Sequence, residues 1–394
     1  MQTPIASERT VKAIGDLAAE AGIGRVHMLA WRDLDDPEAG GSEVHAHNVA
    51  SIWAQSGIEV LHRTSYAPGH PQKTTRNGYQ VVRKAGRYLV FPRSVASEIA
   101  HRHGRCDALV EIWNGMPFMS PTWFRGPKSV WFHHVHGPMW EMTLPKNLAR
   151  AGKTLEEIVA PKFYRRCEIV TLSSSSHAEL VDQLGFDQSR IHVVPPGVSP
   201  SFGPGGQKAN VPTIVAVGRL VPVKNFDRLI KIAARVKAVV ADLRLIIVGE
   251  GYERPNLERL VRDLNAESWV TLAGKVSDDE ITDLYRSSWV LGSTSIREGW
   301  GMTLTEAAAC GTPSVASAIS GHQDAARDGE SGILCEGDDQ FVEAFVAMLT
   351  DDERRKRFEL AALDRASELT WDATAIGTMQ VLARDALARR SQRR

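Results

Sequence analysis

The feature that most constrains the fold is a repeated alternation of short apolar runs with longer amphipathic stretches. In the first half, RVHMLAW, IEVLHRTS, CDALVEIW and SVWFHH are typical of strands, and SEVHAHNVASIWAQSG is typical of a helix. Neighbouring parallel strands need a crossover connection, which is usually a helix. The pattern therefore predicts a doubly wound, Rossmann-like α/β domain over residues 1–195.

The same alternation restarts after a segment rich in Pro and Gly. Residues 196–212 carry these residues too densely for a helix or a central strand, which predicts an interdomain linker. The runs PTIVAVGRL, LRLIIVGEG, WVTLAG and SWVLGST then predict a second Rossmann-like domain over residues 213–368. Residues 369–394 predict a C-terminal helical extension that packs back on the first domain. Two such domains predict a cleft with the active site at the carboxyl ends of the strands.

Composition narrows the classes of function. The chain has 394 residues with 47 Lys+Arg and 47 Asp+Glu, so no net charge draws it to nucleic acid. Its four cysteines lie far apart without a C-x-x-C pair, so neither a zinc site nor a disulfide framework is expected. A polar start and the lack of an apolar run of about 20 residues favour a cytoplasmic protein, with membrane association at most peripheral on the inner face.

Two segments of the C-terminal half combine charge with glycine where predicted strands end. In VAVGRLVPVKNFDRLI, Arg219 and Lys224 precede a helix N-terminus, where two cations suit a diphosphate. In REGWGMTLTEAAACG, Glu298 precedes two glycines, and Glu306 lies on an apolar helix. Carboxylates and backbone N–H groups of this kind suit sugar hydroxyls. A lone cation in a loop, by contrast, is more often a solvated charge.

A third segment, WVTLAGKVSDDEITDLYR, contains a turn in which backbone groups of Lys275 and Val276 are candidates for pairing with a nucleobase. Taken in order, the three segments, with IIVGEG, the E-x7-E spacing, ACGTPSVAS and DGESGILCE, resemble the retaining glycosyltransferases of family 4. The resemblance implies the GT-B fold, in which two such domains face a cleft. It also implies a nucleotide diphosphate sugar as donor. Two departures are Trp300, where the family usually has Phe, and His322 in an unusual SAISGHQDAA.

The resemblance implies roles for individual residues. Arg219 and Lys224 would bind the donor diphosphate, Glu298 the transferred sugar and Glu306 the ribose. The loop after Glu298 would contact the sugar as well, and it consists of Gly299, Trp300, Gly301, Met302 and Thr303. The donor side of the site is therefore predicted to lie in the C-terminal half.

In the N-terminal half, WRDLDDPEAGGSEVHAHNVA places Gly40 and Gly41 before a helix whose predicted N-cap is Ser42. By the resemblance this Gly-Gly loop faces the donor phosphate, whereas on its own it is equally well a plain helix start. Asp33 and Asp35 form an Asp-x-Asp, which in a different glycosyltransferase fold would hold a metal ion. Here they are predicted to be solvent-exposed loop charges, and no metal is expected.

SVWFHHVHGPMW ends a predicted strand in histidines at 133, 134 and 136, before a Gly-Pro turn. No cysteine or carboxylate nearby completes a zinc set. The family has a functional histidine directly after this strand, which alignment places at His133, with His136 as the alternative. The residues predicted from position for the acceptor side are Trp31, His45, His136 and Trp140.

The resemblance thus implies retaining, metal-independent transfer of a hexose-type sugar from a UDP- or GDP-linked donor. The acceptor would be a hydroxyl of a glycan, a lipid-linked molecule or a small molecule, and no cofactor is expected beyond the co-substrate. The alternatives are a sugar-nucleotide epimerase on the same fold and a non-catalytic nucleotide-sugar-binding protein. A nicotinamide oxidoreductase is disfavoured, because neither GEGY nor EGWGM completes G-x-G-x-x-G after a strand.

Overall fold

The computed structural model describes residues 5–137 and 139–392. Three parts of the predictions lie outside the described residues: residues 1–4 of the predicted first domain, Pro138 of the predicted Gly-Pro turn, and residues 393–394 of the predicted final helix. Contacts divide the chain into two units. The N-terminal domain comprises the described residues up to Gly197 and those from Thr370 onward, and the C-terminal domain comprises Val198–Leu369.

Among the described residues, the N-terminal domain has one eight-stranded sheet. Its strands are β1 (Arg25–Leu29), β2 (Glu59–Thr64), β3 (Lys73–Arg76), β4 (Tyr79–Arg83), β5 (Ala108–Trp113), β6 (Lys128–Phe132), β7 (Glu168–Thr171) and β8 (Ile191–Val193). Their order is β3-β4-β2-β1-β5-β6-β7-β8. All neighbours pair in parallel except β3 and β4. The strand order reverses between β1 and β5, which is where doubly wound sheets bind ligands.

Helices link these strands. They are α1 (Glu8–Ala21), α2 (Gly41–Gln55), α3 (Val90–Ile99), α4 (Ser120–Trp123), α5 (Met139–Thr143), α6 (Lys146–Thr154), α7 (Pro161–Tyr164) and α8 (Ser174–Leu184). A π-helical turn spans Leu155–Val159, and a 3-10 turn spans Gln188–Arg190. The prediction that Ser42 caps α2 is wrong. Gly40 takes the N-cap position, because the Glu43 carboxylate accepts its backbone N–H at 2.8 Å.

Among the described residues, the C-terminal domain has six strands: β9 (Thr213–Val217), β10 (Arg244–Val248), β11 (Val270–Gly274), β12 (Val290–Ser293), β13 (Ser314–Ser317) and β14 (Gly332–Cys335). They are all parallel, in the order β11-β10-β9-β12-β13-β14. This is the strand order of the dinucleotide-binding Rossmann sheet, and its switch point lies between β9 and β12. Gly292 of β12 leaves room for the core, since a Cβ there would lie 3.1 Å from Phe345 and 3.2 Å from Leu229.

A 3-10 turn at Pro222–Lys224 and seven helices complete the described part of this domain. The helices are α9 (Phe226–Lys237), α10 (Arg254–Asp263), α11 (Asp278–Ser287), α12 (Met302–Ala309), α13 (His322–Ala325), α14 (Asp338–Thr350) and α15 (Asp352–Ser367). The final helix, α16 (Trp371–Ser391), belongs to the N-terminal domain and packs on α1, α2 and β6. There the Trp53 Nε1–H donates to the Ala375 carbonyl at 3.0 Å.

The predicted fold class, two Rossmann-like α/β domains with a helical C-terminal segment, is confirmed. The sequence of helix α2 has only a weak amphipathic pattern, and its burial explains why. Nearly every residue from Glu43 to Trp53 is buried, because α2 packs on α1 and β2 and is covered by α16 as well. Within residues 5–137 and 139–392, no helix combines the length and the apolar character that crossing a bilayer requires.

Candidate active site

The backbone after β9 is held tightly against the loop after β10. Gly249 has φ +140°, and a Cβ there would lie 1.9 Å from the carbonyl oxygen of Gly218. No larger residue fits at position 249 without moving this loop. The contact fixes the segment that carries Gly218 and the half-buried Arg219 at the carboxyl end of β9.

Lys224 and Glu298 meet at the switch point of the C-terminal sheet. The Lys224 ammonium donates to Oε1 of Glu298 at 2.5 Å, and the Ser295 hydroxyl donates to the same oxygen at 2.9 Å. The two charged side chains are only 20% and 18% exposed. Burial opposes ionisation of Glu298, but the charges of Lys224 and His322 and the two hydrogen bonds outweigh it and lower the pKa of Glu298. The carboxylate is therefore held ionised beside a cation.

The glycine loop Gly299–Thr303 is packed against His322. Gly301 has φ +105°, and a Cβ there would lie 2.7 Å from Cδ2 of His322. A Cβ on Gly321, at φ +85°, would lie 2.7 Å from the backbone nitrogen of Trp300. His322, one of the two residues that depart from the family pattern, is thus fully buried and packs directly against this loop. The Trp300 side chain is also buried.

Glu306 lies on α12, four residues after Met302, which is the first residue of that helix. The Tyr285 hydroxyl donates to its Oε2 at 3.1 Å. Burial raises the pKa of Glu306 to about 7, against the lowering effect of that hydrogen bond. Glu306 is thus a half-buried carboxyl group that titrates near neutrality.

Lys275 and Val276 lie in the loop between β11 and α11. Lys275 is exposed and Val276 half-buried. The helix after them begins with a capping box, in which Ser277 and Glu280 exchange hydrogen bonds of 3.3 and 2.8 Å with each other's backbone N–H. The capping box therefore fixes the point at which this loop enters α11.

In the N-terminal domain, the predicted phosphate loop lies where β1 and β5 end. Gly40 is half-buried and Gly41 exposed. The Asn114 side chain, just after β5, donates to the Ser42 hydroxyl at 3.2 Å. This hydrogen bond ties the start of α2 to the end of β5.

His133 follows β6 directly and is paired with His45 of α2. Nε2 of His133 lies 3.1 Å from Nδ1 of His45. His133 is 3% exposed and His45 fully buried. Burial lowers the pKa of His133 to about 4 although Glu43 opposes this, and burial lowers the pKa of His45 as well. Both rings are neutral at pH 7 and buried within the N-terminal domain.

His136 and Trp140 are organised by Glu156. This fully buried carboxylate in the π-helical turn accepts from the backbone N–H of His136 at 3.0 Å and from the Trp140 Nε1–H at 2.8 Å, and Nδ1 of the His136 ring lies 3.6 Å from it. The His136 ring stacks on His134 with centroids 4.7 Å apart. Burial works against ionisation of Glu156, but contacts from His136 and Trp140 lower its pKa. The π-helical turn thus holds an anion that fixes this loop, and such turns are frequent at functional sites.

Trp31 sits between two arginines. Its Nε1–H donates to the Arg87 carbonyl at 2.7 Å. The guanidinium groups of Arg32 and Arg87 lie 4.7 and 5.3 Å from the centre of its ring. The indole is half-buried, so part of its surface remains available to a ligand.

The prediction that Asp33 and Asp35 are solvent-exposed charges is wrong for Asp33, which is 1% exposed. Arg83, itself fully buried, contacts Asp33 at 2.6 Å and Asp35 at 2.5 Å. Arg76 adds contacts to both carboxylates at 3.4 and 2.5 Å. Two arginines thus hold Oδ2 of both carboxylates.

One group of described residues combines ligand types that metals use. His27, Glu98 and Cys106 bring ligand atoms within 4.8 Å of one another in the N-terminal domain. The sequence did not predict this group. Its shortest contact is a 2.7 Å hydrogen bond between His27 Nδ1 and Glu98, which pairs two of the three residues directly.

Family models match both halves of the chain. The one described as Glycosyltransferase Family 4 matches residues 39–202, and the one described as Glycosyl transferases group 1 matches residues 201–365. The D-inositol 3-phosphate glycosyltransferase of Xylanimonas cellulosilytica is 31% identical over 414 residues, covering 91% of this chain and 96% of that protein. The protein of that name from Stackebrandtia nassauensis is 35% identical over 244 residues. That match covers 57% of this chain and about half, 55%, of the relative.

Solved structures show the same fold at lower identity. Sucrose-phosphate synthase from Thermosynechococcus elongatus aligns with a TM-score of 0.78 and 19% identity, over 93% of this chain and 99% of that one. Anabaena Alr3699/HepE in complex with UDP-glucose aligns with a TM-score of 0.70 and 16% identity, over the same shares of the two chains. With family models matching both halves and a 31% identical relative along almost its whole length, the chain belongs to glycosyltransferase family 4.

Proposed function

We propose that this protein transfers a hexose-type sugar from a nucleotide diphosphate donor to a hydroxyl acceptor with retention of anomeric configuration. The observation that carries the proposal is the ion pair of Lys224 and Glu298 at the switch point of the C-terminal sheet. The donor bond that breaks joins a sugar to a diphosphate. A cation suits the diphosphate, and a carboxylate suits the sugar hydroxyls.

In the proposed mechanism, the donor diphosphate replaces Glu298 as the partner of Lys224, with Arg219 as a second cation. Glu298 is then released to accept hydroxyls of the transferred sugar. The negative charge that develops on the leaving diphosphate is stabilised by these fixed cations. The acceptor hydroxyl attacks the anomeric carbon from the face that the diphosphate leaves. As the bond from this carbon to the diphosphate breaks, the hydroxyl proton passes to the departing diphosphate oxygen, and His133 contacts the sugar. No step in this scheme uses a metal ion.

The proposed donor is a UDP-sugar, because a structural neighbour binds UDP-glucose; a GDP-sugar is the second candidate. The proposed acceptor is a small phosphorylated polyol, because several relatives are named D-inositol 3-phosphate glycosyltransferases. In the proposed site, Lys275 and Val276 pair with the base, Glu306 accepts the ribose hydroxyls, and Gly40 and Gly41 lie toward the phosphate. Trp31, His136 and Trp140 contribute to the acceptor side.

The test is a thermal-shift panel of nucleotide diphosphates and nucleotide sugars, followed by transfer assays with the donor that stabilises the protein. A ligand that binds only the folded state raises the apparent stability, by about 2.7 kcal/mol at a hundred times its Kd. Lys224→Ala should abolish stabilisation by the donor. Lys231→Ala is the matched control, because Lys231 lies on the adjacent helix in an exposed pair with Asp227. Equal stabilisation of both variants would contradict the proposal.

The alternatives make different predictions in the same assays. An epimerase would convert the donor to an isomer of equal mass without an acceptor. A binding protein would be stabilised by the donor yet show no turnover with any acceptor. Transfer that depends on both substrates excludes both alternatives.

We also propose that the protein binds anionic membranes peripherally, through the segment from Lys146 to Arg166. Its exposed cations are Lys146, Arg150, Lys153, Lys162, Arg165 and Arg166, and its large exposed apolar side chains include Leu148, Ile158 and Phe163. Cations near an anionic surface contribute about 1 kcal/mol each. Co-sedimentation with phosphatidylglycerol vesicles but not with phosphatidylcholine vesicles is expected, and equal recovery with both would contradict the proposal.

A further inference from the structure

The His45–His133 contact has a chemical consequence for the proposed function, on which this inference rests. A neutral imidazole carries one N–H and one lone pair, and the hydrogen bond of one nitrogen decides the state of the other. Because burial keeps both rings neutral, a single proton lies between His45 Nδ1 and His133 Nε2. Each ring then has one remaining nitrogen, and neither of these has a hydrogen-bond partner among the described residues.

The surroundings of His45 decide which ring donates. Its ring is enclosed by the indoles of Trp131 and Trp371, with centroids 4.8 and 6.1 Å away. These rings are tilted by 50° and 36° against the imidazole, and an indole has an N–H donor but no acceptor atom to offer to Nε2 of His45. Whichever ring donates, one buried N–H has no partner among the described residues, on His45 Nε2 or on His133 Nδ1. In the proposed site a sugar oxygen can accept the N–H of His133, whereas the two indoles keep a ligand away from His45. The proton of His45 therefore belongs on Nδ1, where it is donated to His133.

We propose that His45 is a positioning residue that fixes His133 in the tautomer with its proton on Nδ1. With Nε2 of His133 occupied as an acceptor, its Nδ1–H is held ready to donate to an oxygen of the transferred sugar. A partner behind a functional histidine commonly sets its tautomer and ring orientation in this way. His45, predicted for the acceptor side, would thus act through His133 without touching an acceptor.

The test reads the tautomer directly, without substrate. Long-range proton–nitrogen spectra of the ¹⁵N-labelled full chain distinguish a protonated from an unprotonated ring nitrogen, and His133→Gln identifies the His133 signals. The expected wild-type result is a protonated Nδ1 and an unprotonated Nε2. An Nε2–H tautomer of His133, or a mixture of the two, overturns the inference whether or not the protein transfers sugar.

Two substitutions separate positioning from packing. His45→Asn places an amide N–H close to where Nδ1 stood and should keep both the tautomer and near-normal kcat. His45→Leu removes the donor and should release His133 into mixed tautomers, with kcat lowered about 10- to 100-fold and the donor KM little changed. Equal loss in the two variants would show that His45 matters only for packing, and no loss in His45→Leu would show that it does not position His133.

His47 supplies the matched control. It lies on the same helix, is buried with 3% of its surface exposed, and has its Nδ1 2.9 Å from the Tyr79 hydroxyl instead of a site residue. His47→Leu should lower the melting temperature without changing the His133 tautomer. If the wild-type tautomer is as expected but no donor or acceptor supports transfer, the proposed function fails while the assignment of the His45–His133 pair stands.

Discussion

Glu306 makes donor binding depend on pH in a way that can be calculated. A carboxylate accepts hydrogen bonds from both ribose hydroxyls, whereas the protonated acid has lost part of that capacity. With the pKa of Glu306 raised to about 7 by burial, most of the free protein carries the protonated form at pH 6. Donor binding must then release a proton. The apparent Kd should rise about tenfold from pH 8 to pH 6, which is about 1.4 kcal/mol.

The sign follows from linkage. A carboxyl group whose folded-state pKa lies above its unfolded value of 4.5 stabilises the folded protein below pH 4.5. That contribution is lost as pH rises toward 7. The full difference, from 4.5 to about 7, is roughly 3 kcal/mol of preference for the protonated form. Deprotonation is thus a cost that the donor must offset at low pH.

Calorimetric titration with the intact nucleotide sugar at half-unit steps from pH 5.5 to 8 measures this effect. Free nucleotide diphosphate is unsuitable, because a terminal phosphate titrates near pH 6 itself. Glu306→Gln should bind weakly with a flat profile. Tyr285→Phe should move the midpoint upward, because the Tyr285 hydrogen bond lowers the pKa of Glu306. An exposed control, Glu343→Gln, should match the wild type. A flat wild-type profile, or an unchanged slope in Glu306→Gln, would refute the reasoning.

Three further predictions concern the loop, the buried ion pairs and metal. Gly301→Ala should lower the melting temperature and weaken donor binding, because the added Cβ meets His322. Gly329→Ala is the control, because Gly329 also has a positive φ but a Cβ there has nothing within 4 Å. The control therefore measures the backbone strain alone, roughly 1–2 kcal/mol. Equal effects would refute the packing argument. Asp33→Asn should reduce the free energy of unfolding by about 3 kcal/mol in urea titrations, since it uncouples the buried Arg83. Asp339→Asn, in an exposed pair, should cost less than about 1 kcal/mol. Transfer should persist after dialysis against EDTA, and its loss and recovery with a divalent cation would contradict the metal-independent mechanism.

The fold was predictable because the apolar runs and the handedness of crossovers are local or general properties. Six parallel strands separated by helices leave few arrangements, and the observed order of the C-terminal sheet is the common one. The packing of the final helix on the first domain was predicted as well, but local patterns could not show that α16 would cover α2. That contact joins residues more than 300 positions apart and depends on the whole chain.

The site residues were predicted unevenly for a similar reason. The residue types at Lys224 and Glu298 suggest a donor site, but their contact joins positions 74 residues apart. Tyr285 was missed, because a tyrosine on an amphipathic helix carries no signal of the carboxylate it will meet. The predicted environment of Asp33 was wrong, because its partner Arg83 lies 50 residues later in the chain. Acidic loops are usually solvated, and only the folded sheet brings Arg83 to the loop that carries Asp33.

The central claim is that the chain transfers a sugar from a nucleotide donor with retention of configuration. It is tested most directly by incubating the protein with an acceptor and an α-linked nucleotide sugar labelled with ¹³C at the anomeric carbon. The first product is then observed by carbon NMR. The account predicts an α-glycoside, formed by the wild type and by Lys231→Ala but not by Lys224→Ala. A β-glycoside would contradict retention, and label found only in an isomerised donor would contradict transfer itself.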